Sequence, residues 1–196
     1  MKRRTQIKIA AGGILIGVLA WGVSRGLERL AGLPPESPAA AADATAPGAN
    51  VPRITATLYY GSADGQSLVP IRREVPLAEG VVPQGREIVA MQLQPAPSPY
   101  VSVIPEGTAL RAFYVTDRGD AFVDLSPEVS SGHPGGSSTE LLTVYAIVNA
   151  VTANLPTIRR VQILIDGREA DTLAGHVDLR RPLQQDLSLV NEPKVE

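Results

Sequence analysis

Ile9 to Ser24 holds no charged residue, and its flanks decide where folding can begin. The run sits in MKRRTQIKIAAGGILIGVLAWGVSRGLERLAGL, with Lys2, Arg3, Arg4 and Lys8 before it and Arg25 and Arg29 after it. The uncharged stretch alone falls slightly short of the ~20 residues a bilayer span needs. Snorkelling of Lys8 and Arg25 extends it, and Trp21 suits the far interface. The heavier positive charge ahead of the run predicts that the N-terminus stays inside. The expectation is a cytoplasmic basic tip at 1–8 and a single-pass signal-anchor at 9–33 in the cell inner (cytoplasmic) membrane, with the rest of the chain extracytoplasmic. A cleaved signal peptide is the alternative. Cleavage follows small residues close behind the apolar core, whereas bulky, charged WGVSRGLERL follows here and Ala39–Ala42 come late.

Residues 34–52, PPESPAAAADATAPGANVP, are rich in proline and alanine and cannot bury enough apolar surface to fold alone. As a largely extended tether they would reach on the order of 55 Å. The folded part is expected at 53–186, with a polar tail at 187–196. A chain of 196 residues is long enough for one domain with a real core. Its net charge of −2, with no basic block in the body, gives no footprint for nucleic acid. Without cysteine there is no disulfide, thiolate nucleophile or cysteine-ligated metal, and two histidines leave little for a histidine site.

Ile54, Ala56, Leu58 and Tyr60 alternate with Thr55, Thr57 and Tyr59, which predicts a strand. Asp64-Gly65 turns it into a second strand, Leu68 to Val75, with one wet face. QGREIVAMQLQ, 84–94, reads as a short helix ended by Pro95, Pro97 and Pro99. Thr108–Val115 and Ala121–Leu125 form a hairpin about Asp117–Asp120. Leu141, Val144, Tyr145, Val148 and Val151 share one helical face within 138–154, which Pro156 terminates. Val161–Ile165 is a buried strand with Asp166-Gly167 as its turn, and Leu173–Leu183 is irregular or a last short strand.

The stretch SGHPGGSSTELL, 131–142, is where chemistry would be sought. A phosphate loop needs a lysine after its glycines, and no lysine occurs between Lys8 and Lys194. A triad of Ser137, His133 and Asp124 lacks the sharp presentation a nucleophile requires. Asp117, Asp120 and Asp124 lack calcium-loop spacing. The expectation is structural: Ser137, Ser138 or Thr139 caps the helix, Ser137 and Glu140 form a capping box worth roughly 1 kcal/mol, and Gly135-Gly136 makes the turn. His176 is expected to be packed or hydrogen-bonded. No catalytic, cofactor-binding or metal-binding residue is assigned.

LYYGSADGQSLVP, IPEGTALRAFYVTDRGDAFVDLS, the GG-S-x-x-E helix entry and VQILIDGREADTLAGHVDL follow one another in an order that resembles the GerMN domain, the sporulation and spore-germination module, over Ile54 to Pro182. The resemblance implies an α+β fold, a small mixed sheet with about two helices on one face, similar to the ring-building motifs of secretion systems. It also implies a non-catalytic domain outside the cytoplasmic membrane that acts in envelope assembly. Together with the anchor, this gives an expected binding or scaffold module whose partner is an envelope protein or a second copy, with no small-molecule cofactor. Sheet edges and the helix-entry loop are the expected contact surfaces. The alternative is a module that binds cell-wall glycan or peptide.

Overall fold

The computed structural model describes residues 51–191. The expected basic tip, the signal-anchor, the tether up to residue 50 and the last five residues of the tail lie outside them. Among the described residues no helix is long and apolar enough to cross a membrane.

The chain begins with a hairpin of β1 (Arg53–Gly61) and β2 (Leu68–Pro76). Helix α1 (Val81–Gln92) follows, then the hairpin β3 (Leu110–Val115) and β4 (Asp120–Leu125). A single turn, α2 (Glu128–Ser131), precedes the long α3 (Ser137–Asn154). That helix carries the chain across to β5 (Arg160–Ile165), parallel to β4, and β6 (Arg168–Glu169) turns back on it. The strand positions follow the sequence expectations. The Asp166-Gly167 turn has both residues at positive φ, 52° and 76°, as a two-residue hairpin turn requires.

The sheet arrangement corrects one expectation. Among the described residues there are two sheets, not one small mixed sheet: β1-β2, and a mixed β3-β4-β5-β6. α1 and α3 each pack against strands of both. This changes the reading of α3. A helix packed on two sides is apolar nearly all round. Leu142, Ala146, Ile147 and Ala150 are accordingly buried along with Val144, Val148 and Val151, while Leu141 and Tyr145 of the expected face are only half-buried.

Two side-chain amides explain why β1 stops the first sheet. Gln92 of α1 accepts the Tyr59 N–H at 2.9 Å and donates to its carbonyl at 2.7 Å. Asn154 of α3 does the same for Thr57, at 2.8 and 2.7 Å. Each amide takes the place of a neighbouring peptide group, so this inner edge is satisfied without another strand.

α1 starts three residues before its expected first residue, because proline is tolerated in a first turn and Pro83 does not break it. A Cβ on Gly85 would stand 2.4 Å from the Phe113 ring, so the glycine is what lets α1 lie against β3. The segment after β6 is irregular and ends in pairings. Leu183 bridges Val161, Val190 bridges Leu68, and Asn149 clasps Asp186 through both its amide atoms, at 2.7 and 3.0 Å. Leu187–Val190, at the start of the expected tail, therefore lies against β2.

Candidate functional site

A cleft of about 660 Å3 opens between the segment that follows α1 and the entry to α3. Leu93, Val101, Ile104 and Leu142 give it apolar walls, and Glu106, His133 and Thr139 stand among them. One wall is the stretch His133-Pro134 together with the first turn of α3. The other runs from Leu93 to Gly107 and is pinned to β1 by the Gly61–Val101 pair, at 2.8 and 3.0 Å.

The helix-entry loop does not behave as a capping box. Gly136, not a serine, occupies the cap position, with φ 92°, and no side chain caps the helix. Ser137 and Ser138 are exposed first-turn residues, and Thr139 turns back to the carbonyls of Gly135 and Gly136. Gly135 and Gly136 both take positive φ, as the turn expectation required.

Glu140 is the larger correction. Its carboxylate is fully buried and bonds to the segment after β6 rather than to the helix start. Oε1 accepts the N–H groups of Leu173 (2.9 Å), Ala174 (2.8 Å) and Val177 (3.2 Å). Oε2 accepts the His176 N–H (2.9 Å) and its Nδ1 (3.1 Å). Burial alone would push this carboxyl up. The N–H groups of Ala174, Val177 and His176, with the His176 ring, outweigh it and hold the group below the usual carboxylate range. The irregular segment at 173–177 is thus ordered around one side chain of α3. His176 is hydrogen-bonded, as expected.

The imagined triad is not assembled. His133 Nδ1 accepts the Gly135 N–H at 3.0 Å, so the ring proton lies on Nε2, which meets Thr143 Oγ1 at 3.1 Å. Asp124 accepts from the Gly167 N–H at 2.7 Å and from Arg111 at 3.3 Å, and so serves the β5–β6 turn. Ser137 bonds to neither. The three aspartates do not converge: Asp120 forms a two-pronged pair with Arg160, at 2.7 and 2.9 Å, and Asp117 lies on the exposed β3–β4 turn. Among the described residues no cluster of histidine or acidic side chains has the arrangement of a metal site.

Sequence reasoning missed the amides Gln92 and Asn154 and the role of Glu140. A charged residue opening a stretch as apolar as LLTVYAIVNAV is a signal, because a buried charge must be paired.

The family model described as "Germane: Sporulation and spore germination" matches residues 57–171. No curated protein matches the chain. Among solved structures, the tandem GerMN domains of the sporulation protein GerM from Bacillus subtilis superpose with a TM-score of 0.50 at 20% identity. That match covers 70% of this chain and 46% of the other, so the chain spans less than half of the tandem structure. The first GerMN domain of the same protein gives 0.49 at 17% identity, covering 67% of this chain and 97% of that one. A candidate lipoprotein from Clostridium perfringens gives 0.49 at 23% identity, covering 69% and 89%.

Proposed function

The chain belongs to the sporulation and spore germination family, and from that premise we propose that it is a non-catalytic binding module of the cell envelope, held outside the cytoplasmic membrane by its N-terminal run. The observation that carries this is the use made of polar groups around the cleft. His133 spends one ring nitrogen on the Gly135 N–H of the loop and the other on Thr143 of α3, and Glu140 is enclosed by backbone donors. What the cleft offers is an apolar, concave surface rather than a nucleophile with a base. The tether fits the same reading, since confinement to a membrane raises the local concentration of a domain that works by contact.

The test is capture of the full-length chain from gently solubilised membranes, with the mass and composition of the complex read together. A large complex of this chain alone supports a scaffold, and a defined complex with other envelope proteins supports an adaptor. A lone monomer counts against both. Retention in the membrane after alkaline extraction tests the anchor.

A second reading has its own observation. The cleft falls within the range of small-ligand sites, ~300–1,000 Å3, which favours a cell-wall glycan or peptide as the occupant. Saturable binding of purified cell wall, lost on replacing exposed, cleft-lining Val101 (Val101→Arg) with the fold intact, supports it. Unsaturable binding, or binding unchanged by the substitution, sinks it.

A further inference from the structure

Seven large apolar side chains stand exposed among the described residues: Val51, Leu77, Val81, Val82, Val101, Tyr114 and Leu187. Val101 lines the cleft, Tyr114 is on β3 and Leu187 follows β6. The other four belong to segments that hydrogen bonds join at one end of the domain, the end where the chain enters it. Val51 leads into β1. The Leu77 N–H donates to the Pro52 carbonyl at 2.7 Å, and Arg53 pairs with Pro76. The Gln84 amide then accepts the Ala78 N–H at 2.9 Å and donates to the Pro76 carbonyl at 3.1 Å, which folds the first turn of α1, with Val81 and Val82, onto the same end.

Nothing in the folding of α1 requires valine there. The corresponding first-turn positions of α3 are Ser137 and Ser138, equally exposed and polar. Val51 and Leu77 are 53% and 49% exposed, so none of this surface serves the core. The charged residues near it along the chain are Arg53, Glu74, Glu79 and Arg86, and the Arg53 guanidinium donates to the Glu74 carbonyl at 3.3 Å. The first turn of α1 holds no acidic residue, which leaves its positive dipole end uncompensated.

The geometry points to a lipid surface as the occupant of this patch: the domain rests on the membrane by the end through which its tether enters. The argument is where the preceding chain ends. Fifty residues come before Val51, with the apolar run at 9–24 and the proline- and alanine-rich stretch after it. The patch surrounds the attachment point of that stretch, so it is the part of the domain surface joined to the run by the shortest length of chain. Four aliphatic side chains would bind a bilayer weakly from free solution. A tether that fixes the domain near the bilayer makes weak apolar contact sufficient. The proposal rests on the anchoring reading given above.

The absence of cysteine makes the test clean, since one introduced thiol is the only site of labelling. Full-length chain carrying Val82→Cys, or Ala63→Cys in the β1–β2 turn at the far end of β1, is labelled with a polarity-sensitive dye and reconstituted in phosphatidylcholine–phosphatidylglycerol vesicles. Some of the lipids carry a headgroup-level nitroxide quencher. The two positions are separated by the length of β1, roughly 27 Å. Quenching several-fold stronger at position 82 than at 63, and reduced to the level at 63 by adding Leu77→Glu, is the expected result. Equal quenching at both positions overturns the proposal. So does a dye at 82 that is shielded from water yet unquenched, which assigns the patch to a second copy of the chain. Loss of the chain from the vesicles on alkaline washing overturns the anchoring reading and this proposal with it. Retention with both dyes unquenched overturns this proposal alone.

Discussion

α1 and α3 begin in the same way. Each follows a glycine at positive φ, 94° for Gly80 and 92° for Gly136, and neither first turn is capped by a side chain. In each, the fourth residue after the glycine is buried and turns its polar end onto a neighbouring loop: Gln84 in one, Glu140 in the other. The difference lies in what those ends can do. An amide both donates and accepts, so Gln84 closes a short link between Pro76 and Ala78, next to it in sequence. A carboxylate only accepts, and when buried it needs several donors. Glu140 finds them in a segment more than thirty residues further on. The same helix start thus gives a local clip in one place and a long-range tie in the other, and the chemistry of one side chain decides which.

The sharpest way to break this comparison is to remove the tie. Glu140→Ala leaves the N–H groups of Leu173, Ala174 and Val177, which are buried or half-buried residues, and that of exposed His176 without their acceptor. Each costs about 1–3 kcal/mol, so a loss on the order of 5 kcal/mol is expected, comparable with the whole stability of a small domain. Urea unfolding followed by circular dichroism reads it directly. A loss below about 1 kcal/mol would show that the 173–177 segment is held by its apolar residues, Leu173 and Val177, and that the carboxylate is incidental.

Acid tests the same tie without mutation. The Glu140 carboxyl is held below the usual carboxylate range in the folded chain, first against the burial that would raise it. The unfolded chain therefore binds the proton more readily, and folding stability rises with pH across this region. The contribution of Glu140 is fully present above its ordinary value of about 4.5 and is lost as pH falls through the lower folded value. Asp186, lowered by its bonds with Ser188, and Asp178, lowered by Arg180, add slopes of the same sign. The measurement is therefore differential: Glu140→Gln should fall in stability less steeply than the parent chain as pH drops below about 4.5. Parallel curves would remove Glu140 from the account of acid stability.

How far the sequence revealed all this depends on the range of the interaction. The strands, their turns and the end of α3 rest on alternation, Asp-Gly pairs and Pro156, all local signals, and they were legible. The two-sheet arrangement was not. It depends on Gln92 and Asn154 finding the edge of β1, 33 and 97 residues away, and no periodicity encodes which amide meets which peptide group. The helix-entry loop shows a local pattern leading to the wrong partner. Ser137 and Glu140 have capping-box spacing, but Gly136 takes the cap position, and once it does, Glu140 is one residue too far along to reach back. The loop forms a wall of the cleft.

Cutting the clip should cost less than cutting the tie. Gln84→Leu keeps the volume but leaves the Ala78 N–H and the Pro76 carbonyl unpaired beside solvent-exposed Leu77 and Glu79. Water can replace part of what is lost, so about 1–2 kcal/mol is expected, again by urea unfolding. A cost equal to that of Glu140→Ala would erase the distinction between clip and tie.

The smallest effect is expected at the residue to which the sequence assigned the largest role in this loop. A capping Ser137 would lose roughly 1 kcal/mol on replacement by alanine. In the structure Ser137 is the first residue of α3, exposed, and makes no capping bond. Alanine also has the higher helix propensity. Ser137→Ala should therefore change stability by no more than about 0.5 kcal/mol in either direction. The cost moves one position back: Gly136→Ala places a Cβ on a residue with φ 92°, and should cost more than about 1 kcal/mol. Measured side by side, the two alanines decide whether this helix starts from a hydroxyl or from a backbone angle. If Ser137→Ala proves the costlier, Gly136 is not the cap, and the likeness between the two helix starts fails with it.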